Sequence, residues 1–302
     1  MIGESGTYAK EEIMGLLDEK VAIITGAGGG LGRTHALLLA REGARVVVND
    51  LGGSRDGTGD GVAMADQVVQ EIVDAGGSAV ANHDSVATVA GGESICRTAI
   101  DAFGRVDILI NNAGILRDRT LVKTEEEDWD LVIAVHLKGT YCVTRPVFQH
   151  MKDRGGPGVI INTTSTSGLL GNFGQCNYGA AKAGIAGFTR TLAQEGAKYG
   201  IRAWGLAPVA FTRLTSDLMG EDNSEMAEAL DPAKISEAVL YMSSDLSGDK
   251  TGKFLFVSGS RVAEMKITGP LGLQKPGFTA RDIADAEESV FLPEDQGFNM
   301  RA

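Results

Sequence analysis

An apolar run that stops in a cluster of glycines and restarts as a helix leaves few folds open. Val21-Ala22-Ile23-Ile24-Thr25 has no polar alternation, the pattern of a strand buried on both faces of a parallel sheet. Gly26-Ala27-Gly28-Gly29-Gly30-Leu31-Gly32 follows, and the segment from Gly32 to Glu42 reads as a helix stopped by Gly43. A second apolar strand, Arg45-Val46-Val47-Val48-Asn49, ends at Asp50. Strand, tight glycine turn, helix and strand, with an acid about 20 residues on, is the arrangement that binds a dinucleotide. Glycines at Gly26, Gly30 and Gly32, with Leu31 between, let the backbone approach a pyrophosphate at a helix N-terminus. Asp50 would accept hydrogen bonds from the adenosine ribose and repel a 2′-phosphate, the other reading being a solvated carboxylate at a strand end. No lysine or arginine stands immediately before Gly30 or after Asp50, which favours NAD over NADP.

The alternation of strands and helices continues along the 302 residues without an obvious linker, which favours one large α/β domain over two small ones. A helix over 62–75 leads through Gly76-Gly77 to a strand at 78–82. Asp84-Ser85 follows it, where a carboxylate either contacts the adenine edge or caps a turn. The next helix reaches Phe103, and Val106-Asp107-Ile108-Leu109-Ile110 forms a fourth strand running into Asn111-Asn112-Ala113-Gly114. Small residues and amides at that strand end brace neighbouring loops and admit a cofactor. A long helix over 129–150, strands at 159–163, 202–206 and 254–257, and a helix carrying Tyr178 complete the order.

The composition narrows the function classes. A formal net charge of −12 argues against a nucleic-acid surface, and no run of eighteen apolar residues suggests a membrane span. The three cysteines, Cys96, Cys142 and Cys176, and the four histidines lack metal-ligand spacing, so no metal is expected. Unpaired cysteines fit a reducing cytoplasm.

Ser165, Tyr178 and Lys182 carry the chemistry. Tyr178 and Lys182 stand at i and i+4 of a helical segment, which stacks phenol and ammonium on one face. A neighbouring cation favours the phenolate and lowers a pKa that is ordinarily about 10, so the tyrosine can exchange a proton with an alcohol or carbonyl. The Ser165 hydroxyl can hold the same oxygen. Together with a bound nicotinamide, these residues read as an oxidoreductase.

The glycine turn, Asn111-Asn112-Ala113-Gly114, Ser165, and Tyr178 with Lys182 resemble the short-chain dehydrogenase/reductase family over roughly residues 18 to 260. The resemblance implies a single doubly wound Rossmann domain, a seven-stranded parallel sheet with helices on both faces, and a C-terminal tail. It implies Tyr178 as general acid/base, Ser165 as orienter of the substrate oxygen, and Lys182 as ligand of the nicotinamide ribose. Asn49-Asp50-Leu51-Gly52-Gly53, the extended Asn111 to Asp118 segment and Gly171-Asn172-Phe173-Gly174-Gln175 look like one subgroup. Its members are the (3R)-hydroxyacyl-CoA dehydrogenase units of peroxisomal multifunctional enzyme type 2, also called 17β-hydroxysteroid dehydrogenase type 4. The Gly-rich segment from Gly52 to Gly61 fits that subgroup. The implied reaction is oxidation of a 3-hydroxyacyl-CoA thioester to the 3-keto form, with a steroid alcohol as the alternative. Arg117, Arg119 and Lys123 either attract CoA phosphates or form a salt-bridged surface.

Two positions depart from the broader family. His136 stands where most members place a relay asparagine, and is read either as a variant relay or as a packing histidine. Pro208-Val209-Ala210 replaces the usual proline-glycine, with Thr212 the residue expected at the nicotinamide carboxamide. Residues 1–17 are expected to be an N-terminal extension. Residues 261–302 are expected to be a tail over the cleft or a subunit interface. The final residues are not a peroxisomal address, and a free-standing cytoplasmic homodimer or homotetramer is expected. A non-catalytic dinucleotide-binding sensor is the reading from another class, and the Ser165, Tyr178 and Lys182 set argues against it.

Overall fold

The computed structural model describes residues 15–52, 63–210 and 228–293. Its sheet runs in the order β3-β2-β1-β4-β5-β6-β7-β8. The strands are β1 (Val21–Thr25), β2 (Arg45–Asn49), β3 (Ser78–Asn82), β4 (Ile108–Asn111), β5 (Gly158–Thr163), β6 (Ile201–Val209), β7 (Lys253–Ser258) and β8 (Arg261–Met265). Pairings from β3 through β7 are parallel. Strand order reverses between β1 and β4, the crevice where open α/β sheets hold their ligands.

The expected seven strands become eight. Gly259 and Ser260 alone separate β7 from β8, a connection too short for a parallel crossover, so β8 returns as a hairpin strand. Its sequence, Arg261-Val262-Ala263-Glu264-Met265, has the mixed exposure of a sheet edge and no apolar run to mark it.

The central strands are apolar because both faces are covered. Side chains alternate sides with period two. Ala22, Ile24, Val46, Val48, Ile108 and Ile110 join one core, with Leu38 and Leu39 of α1 (Gly30–Arg41) and Val68 and Ile72 of α2 (Ala63–Asp74). Val21, Ile23, Val47 and Leu109 join the other, with Ile95 of α3 (Val89–Phe103) and Val143 and Val147 of the helix Gly139–Arg154. The long helix expected over 129–150 is three pieces: α4 (Glu126–Ile133), a π-helical turn (Ala134–Lys138) and α5 (Gly139–Arg154).

The strand ends form a polar layer. Thr25, Asn49 and Asn82 lie in register, as do Asn111 and Asn162. Asn49 Nδ2 donates to Asn82 Oδ1 at 2.9 Å, and Asn111 Nδ2 donates to Asn162 Oδ1 at 2.8 Å. Asn162 Nδ2 in turn donates to Thr189 Oγ1 at 2.9 Å. Each buried amide is thus partnered, which removes the cost of placing it in the interior.

The chain divides into two compact units at Ala263 and Glu264. In the second, a helix at Ala280–Asp285 is held by a capping box between Thr279 and Asp282, and Lys275 pairs with Asp282 at 2.5 Å. Among the described residues no helix is long and apolar enough to cross a membrane.

Candidate active site

The turn between β1 and α1 is shaped by close approach. Gly26 has φ +63°, and a Cβ there would stand 2.7 Å from Ala113 Cα. A Cβ on Gly32 would lie 2.2 Å from Gly26 O. Asn112 braces the turn, donating through Nδ2 to the carbonyls of Thr25 and Gly26 at 3.0 Å each. Thr25 Oγ1 accepts from the backbone N–H groups of Asn112 and Ala113. The N-cap of α1 is Gly29, with no side-chain cap and no acid in the first turn. The leading amides of a helix have no intrahelical acceptor, so this end offers free donors and a positive dipole end to an anion. The donor set fits a dinucleotide pyrophosphate.

Asp50 sits at the end of β2, beside this turn. Its Oδ2 accepts from Gly28 N and its Oδ1 from Gly52 N, each at 2.8 Å. Each oxygen keeps a further lone pair for a ribose hydroxyl. The nearby basic residue of α1, Arg33, forms an ion pair with Glu71. Asp84 lies in the turn after β3, where its Oδ2 accepts from Asn82 Nδ2 at 2.9 Å, while α3 is capped by Thr88. Ser85 Oγ accepts from Ala87 N at 3.2 Å, within the same turn. Pro208 lies near the end of β6, opposite Val257 of β7. Thr212 lies outside the described residues, as does most of the segment from Gly52 to Gly61.

Ser165, Tyr178 and Lys182 converge at the far side of the crevice. Ser165 is the N-cap of a short helix, α6 (Thr166–Leu169). Its Oγ accepts from Ser167 N at 3.1 Å, and the hydroxyl is near enough to the Tyr178 phenol to pull its pKa down against burial. Tyr178 and Lys182 lie in the first two turns of α7 (Cys176–Gly196). The Lys182 ammonium is 5.5 Å from the centre of the tyrosine ring, and Nζ donates to Thr163 O at 2.6 Å.

Burial reverses one electrostatic expectation. The sequence predicts a phenol pKa lowered by Lys182. Instead burial pushes Tyr178 up to about 12, opposed by the Ser165 hydrogen bond and reinforced by the Asp118 carboxylate. Burial also pushes Lys182 down to about 7, because an ammonium loses its hydration there. In this structure the tyrosine is held in its acid form.

His136 belongs to the same cluster. Its ring meets Tyr178 edge-on, with centres 5.2 Å apart and planes at 88°. Nε2 lies 2.8 Å from Ile115 O and 3.1 Å from Ile115 N. Which of the two Ile115 contacts is the bond depends on the ring tautomer, and Nδ1 is buried without a protein partner. Burial, then the Lys182 charge, push the imidazole down to about 3, so it is neutral near pH 7. A Cβ on Gly114 would stand 2.4 Å from His136 Cε1, so the strand-end glycine makes room for the ring.

Two of the three basic residues after β4 are in ion pairs. Arg117 Nη1 reaches Asp128 Oδ1 at 2.8 Å, and Arg119 Nε reaches Asp128 Oδ2 at 3.2 Å. Both guanidinium groups hold the Asp128 carboxyl below the usual range. The salt-bridged reading of Arg117 and Arg119 is therefore the one this structure shows. Lys123 ends an exposed 3₁₀ turn, Leu121–Lys123. Sequence reasoning gave no role to Asn177, which is fully buried and ties α7 to Arg117 O through Nδ2 at 3.1 Å. Its Oδ1 accepts from Tyr178 N at 2.8 Å.

A parallel sheet with an uncapped helix at its switch point, and beside it a half-buried tyrosine over a buried lysine, define an oxidoreductase that uses a nicotinamide dinucleotide. The chain belongs to the short chain dehydrogenase family, whose profile matches residues 20–225. A short-chain type dehydrogenase/reductase of Mycobacterium tuberculosis is 51% identical over 89% of this chain and 92% of its own length. The hydroxyacyl-CoA dehydrogenase ChsB1 of the same organism is 38% identical, over 82% of this chain and 79% of that one. The solved structure of full-length peroxisomal multifunctional enzyme type 2 from Drosophila melanogaster matches with a TM-score of 0.72 and 36% identity. That match covers 90% of this chain but 45% of the multifunctional enzyme.

Proposed function

We propose that the chain is an NAD-dependent dehydrogenase that oxidises (3R)-3-hydroxyacyl-CoA to 3-ketoacyl-CoA. The observation that carries the reaction type is the Lys182 ammonium 5.5 Å from the Tyr178 ring, with the Ser165 hydroxyl beside the same phenol. When bound, oxidised nicotinamide supplies the hydride acceptor and a positive charge that favours the phenolate. Ser165 holds the substrate oxygen, and Tyr178 removes the hydroxyl proton as the carbinol carbon becomes a ketone. Lys182, with its pKa near neutrality, holds the nicotinamide ribose and takes the proton onward. His136 serves that path only as a neutral hydrogen-bonding ring. Gly26, Gly30, Leu31, Gly32, Asn112, Ala113 and Gly114 admit the dinucleotide.

NAD is favoured over NADP because Asp50 is anchored where the ribose would lie and Arg33 is engaged by Glu71. The thioester substrate rests on the motif resemblance to the subgroup and on the hydroxyacyl-CoA relative. One observation favours a second reading, a hydroxysteroid or other hydrophobic secondary alcohol. Arg117 and Arg119 are engaged by Asp128, while Leu121, Val122 and Phe173 are exposed on segments joined by the Arg119–Gln175 bridge.

The deciding experiment is NADH formation with paired (3R)- and (3S)-hydroxyacyl-CoA substrates beside a panel of steroid alcohols. Turnover of the (3R) thioester supports the proposal. Silence on both thioesters with turnover of a steroid replaces it by the second reading.

A further inference from the structure

A hydrogen-bonded chain that the proton chemistry does not use runs between Asp118 and Ser165. Gln175 stands at its centre and is buried. Its Nε2 donates to Asp118 Oδ2 at 2.7 Å. Its Oε1 accepts from Ser167 Oγ at 2.7 Å and from Asn172 Nδ2 at 2.9 Å. A carboxylate only accepts, so Asp118 fixes which way the carboxamide points. Ser167 thereby commits its one hydroxyl proton to Gln175, while its backbone N–H donates to Ser165 Oγ. With one lone pair of Ser165 Oγ occupied by the Ser167 amide, its proton and remaining lone pair are left for the phenol and the substrate oxygen.

The surroundings make this a fixed linkage. A Cβ on Gly168 would lie 2.5 Å from Ala183 N and 2.7 Å from Lys182 Cβ, so α6 rests directly on the α7 backbone. Gln175 is also the N-cap residue of α7, and its carbonyl accepts from Gly179 N at 2.7 Å. One side chain joins the segment after β4, the turn after β5 and the helix that carries Tyr178.

We propose that Gln175, anchored by Asp118, is a positioning residue that sets the Ser165 hydroxyl for the reaction through Ser167. The inference rests on the role proposed above for Ser165. It concerns alignment alone, and so predicts coupling to Ser165 and indifference of the dinucleotide.

The test uses the full-length enzyme, the secondary alcohol it oxidises best, and NADH formation, with dinucleotide affinity measured separately by fluorescence titration. Gln175→Leu is expected to lower kcat about 10- to 100-fold, the scale of a reacting group displaced by an ångström, with dinucleotide affinity unchanged. In a Ser165→Ala background the same substitution is expected to cost less than about twofold more, because the group it aligns is gone. Asp118→Asn keeps an acceptor for Gln175 and is expected to hold kcat within about threefold of wild type, whereas Asp118→Leu reproduces the larger loss. Losses that multiply in the double variant, or a Gln175→Leu kcat at the wild-type level, overturn the proposal.

Should Gln175→Leu fail to fold, Ser167→Ala is read instead. It removes one hydroxyl and is expected to lower kcat about 3- to 10-fold, again only when Ser165 is present. An unchanged kcat in that variant overturns the linkage. Wild-type turnover by Ser165→Ala alone would defeat the site reading itself, and the proposal with it. An impaired Ser165→Ala enzyme with multiplicative losses would defeat only the role of Gln175.

Discussion

Replacing Gly114 by alanine tests whether the strand end and His136 form one packed unit. Gly114 is not at positive φ, so the backbone tolerates alanine and the effect is one of space. The added Cβ would lie 2.4 Å from His136 Cε1, 3.1 Å from Nδ1 and 3.2 Å from Nε2. Ordinary carbon contacts begin near 3.5 Å, so the ring must retreat by about 1 Å. It has nowhere to go freely, because Nε2 is held by Ile115 and an edge meets Tyr178. Overpacking of this kind costs about 1–3 kcal/mol, and a lost hydrogen bond to Ile115 adds about 1 kcal/mol. A stability loss of about 2–4 kcal/mol follows, with a fall in kcat on the order of 100-fold if Tyr178 moves with the ring. Urea unfolding and NADH formation measure the two effects. Removing the imidazole as well, in Gly114→Ala/His136→Ala, should restore much of the stability lost on adding the methyl. A Gly114→Ala enzyme within about 0.5 kcal/mol of wild type, or a double variant whose losses simply add, would refute the steric argument.

Three further outcomes are expected. Tyr178→Phe should abolish most turnover while leaving NAD affinity near wild type by titration; near-normal turnover would remove the phenol from the proton step. Asp50→Ala should shift cofactor selectivity toward NADP. It should also lower stability by roughly 1–3 kcal/mol, because the backbone donors of Gly28 and Gly52 lose a charged acceptor. An unchanged NADP/NAD ratio would place discrimination elsewhere. Stability should fall as pH drops from 6.5 toward 3, because His35 and His136 are both pushed from 6.5 to about 3 by burial. The unfolded chain binds those protons first, so each histidine contributes a slope approaching about 1.4 kcal/mol per pH unit inside that window. Above pH 6.5 this contribution is flat. Chemical denaturation between pH 7 and 4.5 measures it, and a slope unchanged by His136→Asn would be evidence against the burial argument for that ring.

Local covalent geometry makes much of the protein legible in the chain itself. The apolar run at Val21–Thr25, the glycines after it and the acid closing β2 describe neighbours in the chain, whose geometry period and chirality dictate. Tyr178 and Lys182 are recognisable as a pair because four residues of helix bring their side chains together whatever surrounds them. The weakly apolar β8 and the π-helical turn at His136 carry no such periodic signal.

The environment of those residues is another matter. Asp118 and Gln175 are 57 residues apart in sequence, and Asp128 gathers Arg117 and Arg119 from a different segment. Charges alone leave open whether those arginines face solvent, a ligand or a counter-ion within the fold. The phenol and ammonium pKa values illustrate the division most directly. Sequence supplies the cation beside the tyrosine, but desolvation by surrounding strands and helices pushes the two groups toward neutrality. Proximity along a helix is a local property. Exclusion of water comes from segments remote in the chain closing around a site, and only the tertiary structure decides it.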